Sequence, residues 1–333
     1  MRSVFLCDSP EKIEYVYSPE TVEKLRSSAG LEEKIYSSEE VRRGEADLSD
    51  ADYIFSTWGM PGFAEDEIRE FFPNLKGIFY AAGSVQNFAR AFLNCGVKVF
   101  SAWAANAVPV AEYTVAQIIL ANKGFYSSSR IMSSLGREAA AKNAGNYPGN
   151  YGAKIGIIGA GMIGKLVIEM LKIYKLNILV FDPFLSDEKA AALGVRKVSL
   201  EELFASCRVV SNHLANNAQT QGMLNYSHFS SMMKNATFLN TGRGAQVVEQ
   251  DLIKVLSERE DITAILDVTF PEPPEEGSLF YSLPNCILTP HIAGSSGNEV
   301  HRMAEYMLEE FLRYKNNCPC LYEVTAEMLK TMA

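Results

Sequence analysis

Short, near-continuous apolar runs alternate with amphipathic stretches from one end of the chain to the other. "SVFLCD" (3–8), "YIFST" (53–57), "KGIFYAA" (76–82) and "KVFSA" (98–102) carry apolar side chains at successive positions, as strands buried on both faces do. Between them, "SPETVEKLRSS" (18–28) has helix marks, with Ser18 at the N-cap and Pro19 at the first helical position. "SVQNFARAFLNC" (84–95) reads as a second helix, opening at Ser84. Strands separated by helix-length segments predict a parallel sheet with crossover helices.

From Asn106 the pattern changes. "NAVPVAEYTVAQIILANKG" (106–124) predicts a long helix starting near Pro109, and "GREAAAKNAGNYPGNYGA" (136–153) reads as a polar arm. A second alternation then begins with "KIGIIG" (154–159), "NILVFD" (177–182), "RVVSNHL" (208–214), "ATFLNT" (236–241), "ITAILDV" (262–268) and "CILTP" (286–290). One more amphipathic helix follows, from about Asn298 to Lys315. No solenoid-period repeat interrupts the pattern.

Composition narrows this picture. A chain of 333 residues, 47% hydrophobic and 21% charged, is ordinary globular material of a length suited to two domains. A net charge of −9 argues against nucleic acid or an anionic membrane as main partner. Six cysteines are too sparse for a disulfide scaffold, and Cys318 and Cys320 lack the second pair of a zinc ribbon. No metal is expected. The N-terminus has an apolar run of only Val4–Cys7, and no stretch reads as the roughly 18 apolar residues of a membrane span. The expectation is a cytoplasmic protein.

"KIGIIGAGMIGKLVIEML" is a strand, a tight turn and a helix, with Gly159, Gly161 and Gly164 in a GxGxxG arrangement and Met162 and Ile163 opening the helix. The first glycine permits the turn, the second lets backbone approach a pyrophosphate, and the third lets the helix pack closely. Helix N-terminal amides would face the phosphate charge. Alone the motif is weak. Support comes from Asp182, 18 residues after Gly164 at the end of the next strand, where a carboxylate can accept ribose hydroxyls and repel a 2′-phosphate. Its alternative is a turn aspartate. Pro183, not an arginine, follows it, so NAD is expected rather than NADP.

Ligands of open parallel sheets bind outside the carboxyl ends of the strands. Later strands of the second unit lead into Arg243 between two glycines, Asp267 and then Glu272, and His291 in "LTPHIAGSS". A cation, an acid and an imidazole on one rim suit reduction of a 2-keto acid. Arginine pairs with the carboxylate and polarises the carbonyl. A protonated histidine delivers the proton, and a carboxylate beside it favours its charged form. The glycines beside Arg243 would let a ligand approach the backbone. Singly, each residue has a plainer reading: a surface arginine, a solvated acidic loop, a turn histidine.

Together these segments resemble the NAD-dependent D-isomer-specific 2-hydroxyacid dehydrogenases over nearly the whole chain. "NTGRG" (240–244), "LDVTFPEP" (266–273) and "LTPHIAG" (288–294) look like the family's arginine, acid and histidine segments, with Glu272 29 residues after Arg243 and His291 19 further on. The resemblance implies two Rossmann/flavodoxin-like doubly wound parallel-sheet α/β domains with an interdomain cleft. Residues 1–104 plus 295–333 would form the substrate domain and 105–294 the inserted dinucleotide-binding domain. It implies catalysis by Arg243, Glu272 and His291, and substrate contacts at Gly83 and Ser84 of a glycine loop, at Asn106, and at Trp58 and Gly59. It further implies cofactor contacts at Thr241, Gly242, Asp267, His213 and Gly294.

Three departures bear on these expectations. Ala215 stands where the family usually has proline, which puts the His213 contact in doubt, and the arm before Lys154 lacks a frequent tryptophan. "STWGMPGF" (56–63) offers Trp58, Gly59 and Met60 where phosphate-using members present an arginine, disfavouring phosphoglycerate. Glu272 stands where the formate branch has glutamine, disfavouring formate. The expected partner is a small 2-keto or 2-hydroxy acid, and a homodimer is implied through the long helix and the arm. The alternative is an NAD-sensing regulator or corepressor on the same fold.

Overall fold

The computed structural model describes residues 1–330. The chain divides into two compact units, Met1–Asn106 together with the segment from Ser295, and Ala107–Gly294.

In the first unit, strands β1 (Ser3–Leu6), β2 (Leu31–Tyr36), β3 (Tyr53–Ser56), β4 (Gly77–Tyr80) and β5 (Lys98–Ser101) lie in the order β5-β4-β3-β1-β2, all parallel. That 2-1-3-4-5 order is flavodoxin-like and has its switch point between β1 and β3. The helix Pro19–Ala29 begins as its sequence predicts: the Ser18 side chain accepts from the Thr21 amide, and Gly30 closes it in the left-handed conformation. The expected helix at Ser84 instead starts at Ala89. Residues 84–88 form a turn that carries the glycine loop away from β4.

In the second unit, β6 (Lys154–Ile158), β7 (Asn177–Phe181), β8 (Arg196–Lys197), β9 (Val209–Asn212), β10 (Thr237–Asn240), β11 (Thr263–Leu266) and β12 (Cys286–Leu288) form one parallel sheet in the order β12-β11-β10-β9-β6-β7-β8. Counted from β6 this is the Rossmann order, reversing between β6 and β9. The long helix starts at Trp103, not near Pro109, and runs to Asn122 with the proline inside it. Proline there deletes one backbone bond, and buried Ala104, Ala105, Ala107, Val110 and Ala111 on either side hold the helix by packing. The same helix is long and apolar enough by composition to cross a bilayer, contrary to the sequence reading, although half of its apolar window is buried in the protein. The first half of the supposed polar arm is helical as well: Phe125–Ala144 is helix, broken at Gly136 (φ 81°).

After Ser295 the chain adds the helix His301–Lys315 and a short strand β13 (Glu323–Val324), antiparallel to β5, to the first unit. Aromatic packing explains its return. Phe55, Phe79 and Phe100 stand in register on β3, β4 and β5 and stack at centroid distances of 5.3 and 4.6 Å. Phe311 of the helix meets the first two edge-on at 5.6 and 5.4 Å, a favourable geometry for aromatic quadrupoles. All six cysteines are free thiols, and the described residues hold no group of three metal-ligating side chains.

Candidate active site

The glycine turn after β6 is shaped by backbone crowding on one side and open space on the other. Gly159 has φ 89°, and a Cβ there would lie 2.8 Å from the His213 carbonyl oxygen. A Cβ at Gly164 would lie 2.0 Å from the Gly159 carbonyl oxygen, so the helix Met162–Leu171 can sit against the turn only with glycine there. Gly161 is different: a Cβ on it would meet nothing within 4 Å, and no side chain caps the helix it precedes. Uncapped amides facing open space at the end of β6 fit a pyrophosphate. Met162 is about half exposed beside them, while Ile163 packs onto the core.

Asp182 serves as a turn aspartate. Its Oδ1 accepts from the Phe184 and Leu185 amides at 2.8 and 3.2 Å, and its Oδ2 from the Ala160 amide of the glycine turn at 2.7 Å. The carboxylate stays partly exposed, with acceptor capacity left on Oδ2. His213, at the end of β9, is buried. Its Nε2 bonds Ser211 Oγ at 2.8 Å, its Nδ1 has no partner, and burial pushes its pKa down to about 3. It is therefore a neutral imidazole.

Three neighbouring strands, β10, β11 and β12, bring the predicted catalytic side chains to one rim. His291 Nδ1 and Glu272 Oε1 are 2.6 Å apart, both side chains about half exposed. His291 has φ 55°, an uncommon conformation for a residue with a Cβ, of the kind that collects at functional sites. Arg243 follows β10, and one guanidinium nitrogen donates to the Gly242 carbonyl at 2.8 Å. Burial lowers its pKa, and the negative charge of Glu272 opposes that shift.

Asp267 does more than the sequence suggests. It is buried and accepts from Thr289 Oγ1 at 2.6 Å, the Ile292 amide at 2.8 Å and the Ala293 amide at 2.9 Å. These donors bracket His291, so Asp267 braces the histidine loop. The glycines beside Arg243 need correction. A Cβ at Gly244 would fall 1.9 Å from the Thr269 carbonyl carbon, and one at Gly242 would fall 3.1 Å from the Asn212 carbonyl oxygen. In the Cβ direction each meets the protein's own backbone. Thr241 is buried with its hydroxyl 3.2 Å from that of Thr114, and Gly294 is the last residue of this unit.

In the first unit, the loops after β3 and β4 leave one sheet rim. Trp58 is half-buried against the core, and Gly59 (φ 99°) follows it with its carbonyl accepting from the Asp8 amide at 2.9 Å. Met60, the next residue of this uncharged loop, is buried in the core. Gly83 is partly exposed with free space over its Cα, and Ser84 is exposed. Asn106 Oδ1 accepts from the Ser295 amide at 3.0 Å, tying together the two points where the chain leaves and re-enters this unit.

Residues 115–293 match the family model described as D-isomer specific 2-hydroxyacid dehydrogenase, NAD binding domain. The chain is 28% identical over 262 residues to a D-3-phosphoglycerate dehydrogenase of Archaeoglobus fulgidus, covering 76% of this chain and 48% of that one. It is 30% identical over 287 residues to a formate dehydrogenase of Neurospora crassa, covering 82% of this chain and 76% of that one. The matched stretch spans 42 to 59% of the length of three curated relatives. Among solved structures, a phosphoglycerate oxidoreductase from Rhizobium etli is similar at a TM-score of 0.80 and 21% identity, covering 98% of this chain and 99% of that one. At that identity the likeness is one of fold.

Proposed function

Because the chain belongs to the D-isomer specific 2-hydroxyacid dehydrogenase family, we propose that it interconverts a small 2-keto acid and its D-2-hydroxy acid with NAD(H). The observation that carries this reading is the 2.6 Å His291–Glu272 contact on strand ends next to that of Arg243. The second unit is an NAD-binding domain. The Gly161 amides would hold the pyrophosphate and Asp182 a ribose hydroxyl, with Thr241, Gly242, Asp267, His213 and Gly294 towards the nicotinamide side. The first unit would act as the substrate domain, with the Gly83 and Ser84 amides and Asn106 on the substrate and Trp58 and Gly59 beside it.

In the reducing direction, bound NADH supplies the hydride to the carbonyl carbon. Arg243 holds the substrate carboxylate and draws charge towards the carbonyl oxygen as it develops. Glu272 occupies Nδ1 of His291, which leaves Nε2 as the atom that gives its proton to that oxygen. The carboxylate fixes the tautomer and the ring plane. In oxidation the same nitrogen takes the hydroxyl proton. A substrate with one negative charge fits best, since Trp58 and Gly59 bring no cation to the rim of the first unit.

The test is the rate of NADH oxidation against a panel from glyoxylate and pyruvate to phenylpyruvate, with NADPH alongside. Turnover with NADH preference is expected, and His291→Ala should lose several orders of magnitude while NADH still binds. Silence across the panel with intact NADH binding would refute the enzyme and favour the regulator. A homodimer is part of the same proposal. It is supported by the apolar groove of Val115, Ala116, Ile119, Leu120 and Met170 and by exposed Leu135; a monomeric mass by light scattering at micromolar concentration would refute it.

A further inference from the structure

Asn212, Asn240 and Gln246 are almost completely buried, with exposures of 0, 1 and 0%, and they bond to one another. Asn212 and Asn240 are register partners at the ends of β9 and β10, and Gln246 closes the short turn Gly244–Gln246 after Arg243. Asn212 Nδ2 donates to Asn240 Oδ1 at 3.0 Å and to Gln246 Oε1 at 2.6 Å. Burying an amide costs free energy unless its polar atoms are paired, and apolar side chains could fill such a space without that cost. Three amides in one place ask what the directional bonds achieve.

Their remaining bonds answer that. Asn240 Oδ1 accepts from the Gly242 amide at 3.1 Å, and Asn240 Nδ2 donates to the Arg243 carbonyl at 3.2 Å. The two ends of one side chain thus bracket the backbone of the arginine. Gln246 Nε2 donates to the Leu214 carbonyl at 2.8 Å, and Asn212 Oδ1 accepts from the Leu214 amide at 3.3 Å. The cluster therefore clamps the turn after His213 as well. From the opposite side, Gly244 lies so close to Thr269 that no Cβ fits between them.

We infer that the buried Asn212–Asn240–Gln246 cluster is the positioning device that sets the Arg243 turn for the substrate carboxylate. This rests on the substrate-anchor reading of Arg243. None of the three touches the reacting atoms; they act through the backbone that carries the guanidinium. A near-isosteric change at Gln246 leaves the Leu214 carbonyl unpaired and one Asn212 N–H without an acceptor, and a further change at Asn212 frees the Leu214 amide as well. Exchange at the arginine turn therefore reads positioning where Tm alone does not.

The experiment compares Gln246→Met with the double variant Asn212→Leu/Gln246→Met. The single change should lower Tm and raise KM for the best 2-keto acid about tenfold, the scale of one lost buried hydrogen bond. The double variant should lower Tm further and keep KM raised. Hydrogen exchange of a peptide spanning 238–248, read without ligand, should speed up in both. A normal KM in the double variant would overturn the inference, since the cluster would then be structural only. Unchanged exchange in both variants would overturn it as well. Absence of turnover in the unmodified protein would instead refute the Arg243 reading, and the exchange result would still decide whether the cluster holds the turn.

Discussion

Lowering the pH should cost the second unit stability through His213 before its carboxylates begin to protonate in earnest. The imidazole is 8% exposed, its Nδ1 lacks a partner, and burial is the sole cause that holds its pKa near 3. A free histidine titrates near 6.5. Between these values the unfolded chain binds a proton that the folded chain refuses, so stability rises with pH across the window and falls on acidification through 6.5. From pH 7 to pH 5 the linkage amounts to about 2 kcal/mol, and it grows to about 4 kcal/mol by pH 3. In a unit of this size 2 kcal/mol corresponds to about 4–8 °C in Tm. The assay is calorimetric Tm between pH 7.5 and 5 for the protein and for His213→Gln, which has no titrating ring and can keep a donor towards Ser211. His228, also pushed down by burial, and the carboxylates titrate in both proteins and cancel in the difference. The variant should show the shallower slope. Parallel slopes would refute the reasoning, because they would mean that His213 takes up its proton equally in the folded and unfolded chain.

Two further perturbations test other links. Phe311→Ala removes the ring that clasps Phe55 and Phe79 edge-on and should destabilise the first unit by about 3–5 kcal/mol; a urea midpoint shifted by less than a third of that would contradict the account of why the C-terminal helix returns. Gly244→Ala places a Cβ 1.9 Å from the Thr269 carbonyl carbon, so the Arg243 turn must shift, and kcat/KM should fall about 100-fold, the scale of an ångström of misplacement. NADH affinity, measured by fluorescence, should change little, and an equal loss there would show that the turn serves the cofactor instead.

What the amino-acid pattern revealed, and what it hid, follows from how far each constraint reaches along the chain. Interior strands were legible because burial on both faces demands apolar residues in sequence, as in "YIFS" and "TAIL". The strands that went unread were β2, β8 and β13, all at sheet edges. An edge strand such as "LEEKIY" needs no continuous apolar run, and a strand of two residues has no period at all. Helix limits were misplaced where local propensity lost to packing: Pro109 lies inside a helix that packing sustains, and Asn143 of the arm lies in helix that runs to Ala144.

At the site the same distinction decides which residues could be found. Arg243, Glu272 and His291 were legible as candidates because a cation, an acid and an imidazole follow three neighbouring strands of one sheet. The constraints that aim them are not local. The need for glycine at 244 comes from Thr269, 25 residues on, and the brace on the His291 loop comes from Asp267 through two backbone amides. Asn212 and Gln246 look like ordinary polar residues until the sheet folds their side chains together in a space that water does not enter. On the proposed reading of Arg243 as a carboxylate anchor, such support limits the freedom by which a long side chain could miss its ligand. In their Cβ directions Gly242 and Gly244 face Asn212 and Thr269 for that reason. The backbone of the arginine turn is packed on every side that the glycines vacate, and the freedom left to the site lies in the guanidinium.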